Sequence, residues 1–178
     1  MNMQKWLEEV RNQKRKKPMP ILSFPCVSLM GITVKDLTTN SALQAQGMKK
    51  IAERYDTLAS VSMMDLSVEA EAFGATVRFS DDEVPTITGA IVTSPEEADA
   101  LQVPTVTDAR CGQYIDAIRQ AKELITDRPV FAGVIGPFSL VGRLMDVSEA
   151  MVNCYVEPEM VHTTLEQVTD CLIAYVTA

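Results

Sequence analysis

A single histidine, His162, occurs in 178 residues, and that shortage removes several chemistries at once. Zinc takes three or four Cys, His or carboxylate ligands, usually with some of them paired at short range. His162 stands eight residues from Cys154 and nine from Cys171, with no Cys or His at i, i+4, so it reads as a helix histidine and no metal site is assigned within the chain. Cys26, Cys111, Cys154 and Cys171 are scattered without a CxxC pair. They read as reduced, buried thiols of a cytoplasmic protein rather than a disulfide framework. Nothing resembles a nucleophile elbow, which leaves Ser–His–Asp and Cys–His machinery without support. GxGxxG and GxxxxGKS/T are both missing, which does the same for dinucleotide and P-loop binding. No apolar run approaches the roughly 20 residues needed to span a bilayer. The basic N-terminal stretch is not followed by an uninterrupted apolar segment, so it is no signal peptide and no membrane partner is expected.

What is present is a chain of one-domain length, 47% apolar and 22% charged, enough to bury a core. The net charge of −8 argues against nucleic acid as a partner. That charge is uneven: residues 1–17 hold six Lys/Arg against Glu8 and Glu9, leaving 10 basic and 22 acidic groups in the remainder. The basic tip reads as a solvated helix end, where cations suit the dipole.

In chain order, residues 2–16 form an amphipathic helix with Trp6, Leu7 and Val10 on one face. Residues 1–20 make up this helix and a lead-in segment broken by Pro18 and Pro20. Phe24 to Thr33 has no clean period and reads as an ordered loop. Thr38, Thr39 and Asn40 are cap residues before a helix that ends near Arg54. Thr57 to Met64 is a buried parallel strand ending at Asp65, and a helix over 66–73 stops at Gly74. Thr76 to Phe79 is a short extended piece, and residues 86–110 are irregular apart from a turn of helix at 95–101. A helix covers Cys111 to Ile125. Further helices lie at 138–145, at 148–155, and from Pro158 onward, where the proline and flanking acids suit a helix start. The last helix runs into the apolar sequence CLIAYVTA, so the chain reads as the front part of a longer polypeptide.

Two places are candidates for chemistry. In PVFAGVIGPFSLVGRLM (129–145) an unbroken apolar run, Val130 to Ile135, ends at Gly136-Pro137 before a new helix. This puts a side-chain-poor turn at the carboxyl end of a buried parallel strand, where α/β folds keep their ligands. A plain core strand with an ordinary turn fits the pattern equally well. The second is Asp65, also at a strand's carboxyl end, where a carboxylate can hold an N–H-rich ligand or act in proton transfer. The alternative is a helix N-cap, a role aspartate fills well. Glu69 and Glu71 cannot both face such a pocket, because i and i+2 lie on different sides of a helix.

Three segments, in order and at suitable spacings, carry a resemblance. SMMDLSVEAEAFGATVRFSDDEVPTI (62–87) resembles the first barrel strand, terminal aspartate and E-A-x-x-x-G helix of the uroporphyrinogen decarboxylase superfamily. PVFAGVIGPFSLVGRLM resembles its second strand and G-x-P-F/W-S/T-L turn. DVSEAMVNCYVEPEMVHTTLEQVTDCLIAYV is similar to the helices that follow. The resemblance spans residues 20–178 and implies an α/β fold of (β/α)8 TIM-barrel type, with residues 1–178 the N-terminal part of one barrel domain covering about half of it. Position by position it implies that Asp65 lines the mouth of the active site, and that Gly136, Pro137 and Phe138 form the wall beside the substrate.

The superfamily's decarboxylases carry an arginine-rich segment that holds substrate carboxylates, and the matching place here is FPCVSLMGIT, with no arginine. The branch resembled better is the corrinoid-dependent methyltransferases. The implied activity moves a methyl group from a methylcobamide, free or on a corrinoid protein, to a small thiol such as coenzyme M. Zinc is implied for the full-length protein, with its His-x-Cys and Cys ligands outside this chain. The alternatives are a uroporphyrinogen decarboxylase-type lyase of tetrapyrrole biosynthesis and a non-catalytic module that binds a corrinoid protein. A partial barrel would expose an unpaired sheet edge, from which self-association or low stability of the isolated chain is expected, and as a fragment it is expected to be inactive.

Overall fold

The computed structural model describes residues 2–178; Met1, the first residue of the expected 1–178 unit, lies outside them. Helix α1 is Met3–Asn12, started by the Asn2 side chain, which accepts from the Lys5 amide. It ends earlier than the expected residue 16. The Lys16 ammonium folds back to donate to the carbonyls of Val10 and Arg11 at 2.6 and 2.9 Å, capping the negative end of the helix. The Trp6 ring meets Phe131 edge-on at 5.7 Å, placing α1 against the sheet.

Phe24 to Thr33 is not a loop. Pro25–Met30 forms a short helix, α2, with proline in its first turn and a stop at Gly31, whose φ of 66° is easy only for glycine. Six residues are too few to print a periodicity, so the pattern concealed it. Helix α3, Val34–Thr38, follows from a capping box in which Thr33 and Asp36 each bond the other's amide. Thr38 is therefore a helix residue rather than a cap, and Asn40 alone caps α4, Ser41–Arg54. Gly47 lets α4 approach α2 closely, since a methyl there would lie 2.6 Å from the Cys26 sulfur.

Strand β1 is Ser60–Val61, and α5, Val68–Ala72, closes at Gly74 with φ 97°. Strands β2, Thr76–Arg78, and β3, Thr86–Thr88, pair antiparallel, so part of the expected irregular stretch is a hairpin strand. Helix α6 is Pro95–Ala100 and α7 is Cys111–Leu124. Strand β4, Val130–Phe131, pairs parallel with β1 in the register Ser60 to Val130 and Val61 to Phe131. Both strands are much shorter than 57–64 and 130–135, because the hydrophobic run continues past the point where the main chains part. Helices α8, Pro137–Met145, α9, Val147–Val156, and α10, Pro158–Thr177, complete the order.

Ala45, Met48, Ala52, Ala121 and Ile125 join α4 to α7, and two further apolar clusters lie nearer the strand ends. Leu140, Val141 and Leu144 of α8 pack with Met160, Val161 and Val168 of α10 and Ala70 of α5. Cys26 of α2, Ile51 of α4, Val68 of α5 and Tyr114 of α7 enclose Met63 beyond β1. Both clusters meet at the carboxyl ends of β1 and β4, which fixes where a site can form. Among the described residues no helix is long and apolar enough to cross a membrane.

Candidate functional site

Asp65 lies just beyond the carboxyl end of β1, and its side chain is fully buried. Its oxygens take four hydrogen bonds. One accepts from the Ser67 amide at 3.0 Å and the Ser67 hydroxyl at 2.6 Å. The other accepts from Arg110 Nη1 at 2.6 Å and the Tyr114 hydroxyl at 3.0 Å. A carboxylate offers about four lone-pair sites, so this one is saturated. The bond to Ser67 leads into α5, while the helix itself begins without a side-chain cap. Asp65 is thus not the side-chain cap of α5: it turns the chain through Ser67 and anchors a buried ion pair.

Arg110 is the other half of this hub. Its side chain is 8% exposed and donates to Asp65, to Glu71 Oε2, to the Ser67 hydroxyl at 2.8 Å and to the Thr38 carbonyl at 3.3 Å. The Phe79 ring covers it at 4.8 Å, within cation–π range. Burial works against the charge, but Asp65 and Glu71 more than offset it and hold the guanidinium above its ordinary pKa. Arg110 is also the N-cap of α7, where a cation faces the positive end of the helix dipole. The residue before it, Ala109, has φ 47°, a left-handed conformation unfavourable for a residue with a Cβ. Tyr114, one turn further on the same face, reaches the same carboxylate, and burial raises its hydroxyl pKa.

Glu69 and Glu71 part as their spacing requires. Glu71 turns to Arg110, and Glu69 accepts from the Ile135 amide at 3.2 Å. Glu69 is 4% exposed, and burial, reinforced by Asp65, raises its pKa. A cavity of about 10 Å³, room for about one water, lies between Met64, Asp65, Glu69, Tyr114, Val134 and Tyr175. Gly136 is the extended N-cap of α8, Pro137 its first residue, and Phe138 is 45% exposed. They begin one residue beyond Ile135, so the Glu69 bond ties α5, the helix that follows Asp65, to the residue before this turn.

Arg110, Tyr114, Ser67 and Glu69 were missed as a group in the sequence. A signal existed: Arg110 is the only basic residue between Arg78 and Arg119 and sits at the wrong end of a helix. Cys26, Cys111 and Cys171 are buried thiols, their pKa pushed up by burial to about 11, 12 and 11. Cys154 differs from the expectation: it is exposed, on the outer side of α9. His162 is exposed on α10. Among the described residues no group of three His, Cys, Asp or Glu could hold a metal ion. The residues present therefore do not fit zinc.

The uroporphyrinogen decarboxylase (URO-D) family model matches residues 21–178. Two parallel strands, with a buried carboxylate beyond the end of the first and a Gly-Pro helix start beyond the end of the second, are the part of a (β/α)8 barrel that this chain builds. The chain belongs to the uroporphyrinogen decarboxylase family. It is 31% identical over 124 residues to a uroporphyrinogen decarboxylase of Chlorobaculum tepidum, covering 66% of this chain and 35% of that protein. It is 27% identical over 118 residues to a methylated-thiol–coenzyme M methyltransferase of Methanosarcina mazei, covering 62% and 30%. A solved methyltransferase from Methanosarcina mazei superposes with a TM-score of 0.77 at 21% identity, covering 89% of this chain and 47% of that one. The chain thus spans about a third of the length of these curated relatives and forms part of a TIM barrel.

Proposed function

We propose that the chain is part of a methyltransferase that moves a methyl group from a methylcobamide, free or on a corrinoid protein, to a small thiol such as coenzyme M. One observation carries the choice between the family's two chemistries. Residues 24–33, which pack beside Met63 through Cys26 and whose neighbour Ser23 bonds the Ser62 carbonyl, contain no basic side chain. A substrate with several carboxylates needs cations at that mouth, and the one buried cation nearby, Arg110, is already bound to Asp65 and Glu71. Asp65, its oxygens saturated, also has no free acceptor for pyrrole N–H groups. A small thiol makes neither demand.

On this reading Asp65 anchors the floor of the mouth, Gly136 and Pro137 form its wall, and the exposed ring of Phe138 touches the substrate. Zinc belongs to the same proposal as the group that makes a thiol nucleophilic, with ligands supplied from outside these 178 residues. The isolated chain is then inactive. The test is to incubate the full-length gene product with methylcobalamin and a panel of small thiols and to measure thioether by mass. Thioether formation is expected. Release of carbon dioxide from uroporphyrinogen without any thioether would overturn the proposal in favour of the lyase reading.

A further inference from the structure

The two parallel strands stop bonding main chain to main chain earlier than their sequences suggest. The Ser60 amide donates to the Pro129 carbonyl at 2.9 Å and the Ser62 amide to the Phe131 carbonyl at 2.8 Å. Continuing that parallel ladder would bring the Gly133 amide to the Ser62 carbonyl and the Ile135 amide to the Met64 carbonyl. Neither bond forms. The Ser62 carbonyl accepts instead from the Ser23 hydroxyl at 3.3 Å. The Gly133 amide goes to the Ser62 hydroxyl at 2.8 Å and the Ile135 amide to Glu69 Oε1 at 3.2 Å. The Met64 thioether lies where a side chain on residue 133 would be, so a Cβ there would push the flexible Met64 side chain aside. The strand ends are therefore parted, with Met64 between them, and two side-chain oxygens replace the missing carbonyls.

We infer that Glu69 is a positioning residue of the mouth: its carboxyl oxygen holds the Ile135 amide and so sets where Gly136, Pro137 and Phe138 stand relative to Asp65. The inference rests on the methyltransferase reading for the reaction it serves, but the bond itself does not. Glu69 is buried, so the bond is shielded from competing water. Its helix, α5, is tied to α7 through Glu71 and Arg110, so the anchor does not move with the turn. The Gly136 carbonyl in turn accepts from the Leu140 amide at 2.9 Å, which passes the position of the turn directly into α8.

Glu69→Gln keeps a carbonyl acceptor at the same reach, whereas Glu69→Leu keeps the bulk and loses the acceptor; Glu69→Ala replaces the latter if leucine prevents folding. In the full-length gene product, amide exchange at Ile135 is measured alongside the kinetics of thiol methylation. The acceptor-free variant is expected to speed Ile135 exchange at least about tenfold while the amide of buried Val168 stays as it was. It should also lower kcat by on the order of tenfold to a hundredfold with little change in the KM for thiol. Glu69→Gln should restore both. Unchanged Ile135 exchange in Glu69→Leu, or faster exchange with unchanged kcat, would overturn the inference. Loss of kcat in Glu69→Gln with Ile135 still protected would overturn it too, in favour of a role in proton transfer. A wild-type protein that methylates no thiol rejects the functional reading and the role in that reaction, while the exchange data separately decide the bond.

Discussion

At the scale of single residues, the two buried carboxyl groups near the strand ends live under opposite constraints. Asp65 faces a guanidinium and two hydroxyls, whereas Glu69 faces one amide and the like charge of Asp65. Burial raises the Glu69 pKa, so folding favours its protonated form. The stability this contributes is fully present below the ordinary glutamate value of 4.5 and is lost as pH rises through the higher folded value. Glu69→Gln removes that titration and keeps the acceptor. The melting temperature of the variant should match that of the wild type at acid pH and exceed it increasingly as pH rises to neutral. A gap independent of pH would show that Glu69 titrates as it does in the unfolded chain. The sequence placed Asp65 and the Gly136-Pro137-Phe138 turn at strand ends, because carboxylates and Gly-Pro pairs after apolar runs are local signals. It could not place Arg110 beside Asp65, since 45 residues separate them and only the packing of α7 on α5 closes that distance.

At the scale of elements, the long helices were legible, while the short helices α2 and α3 and the strand lengths were not. The helical period of α7 and the Pro158 start of α10 agree with the structure. An apolar run, however, reports burial rather than pairing. Val130 to Ile135 is a single hydrophobic word, yet only its first two residues pair with β1. The start of α7 is the element most dependent on the hub. Arg110 opposes the helix dipole and follows a left-handed Ala109, and both features persist because Asp65 and Glu71 bind the guanidinium. Replacing Arg110 by Met leaves Asp65 buried without its cation. A loss of about 3–5 kcal/mol is expected in urea unfolding, as for other broken buried pairs. A loss below about 1 kcal/mol would mean that the hub is solvated and the pair behaves as a surface bridge.

At the scale of the molecule, the chain supplies two parallel strands and the surrounding helices of part of a TIM barrel. Its family was legible because three motif segments keep their order and spacing. The choice of chemistry within the family rests on what residues 24–33 lack, and folding them into α2 beside the strand end gives that lack a place in space. Porphyrin binding tests this most directly, since it requires neither the right corrinoid nor the right thiol. Uroporphyrin, a polycarboxylate, is titrated into the full-length gene product while its fluorescence is followed at low and high salt. The expected result is no saturable binding at either salt concentration. Saturable binding that weakens with salt, the signature of cations gripping carboxylates, would contradict the account.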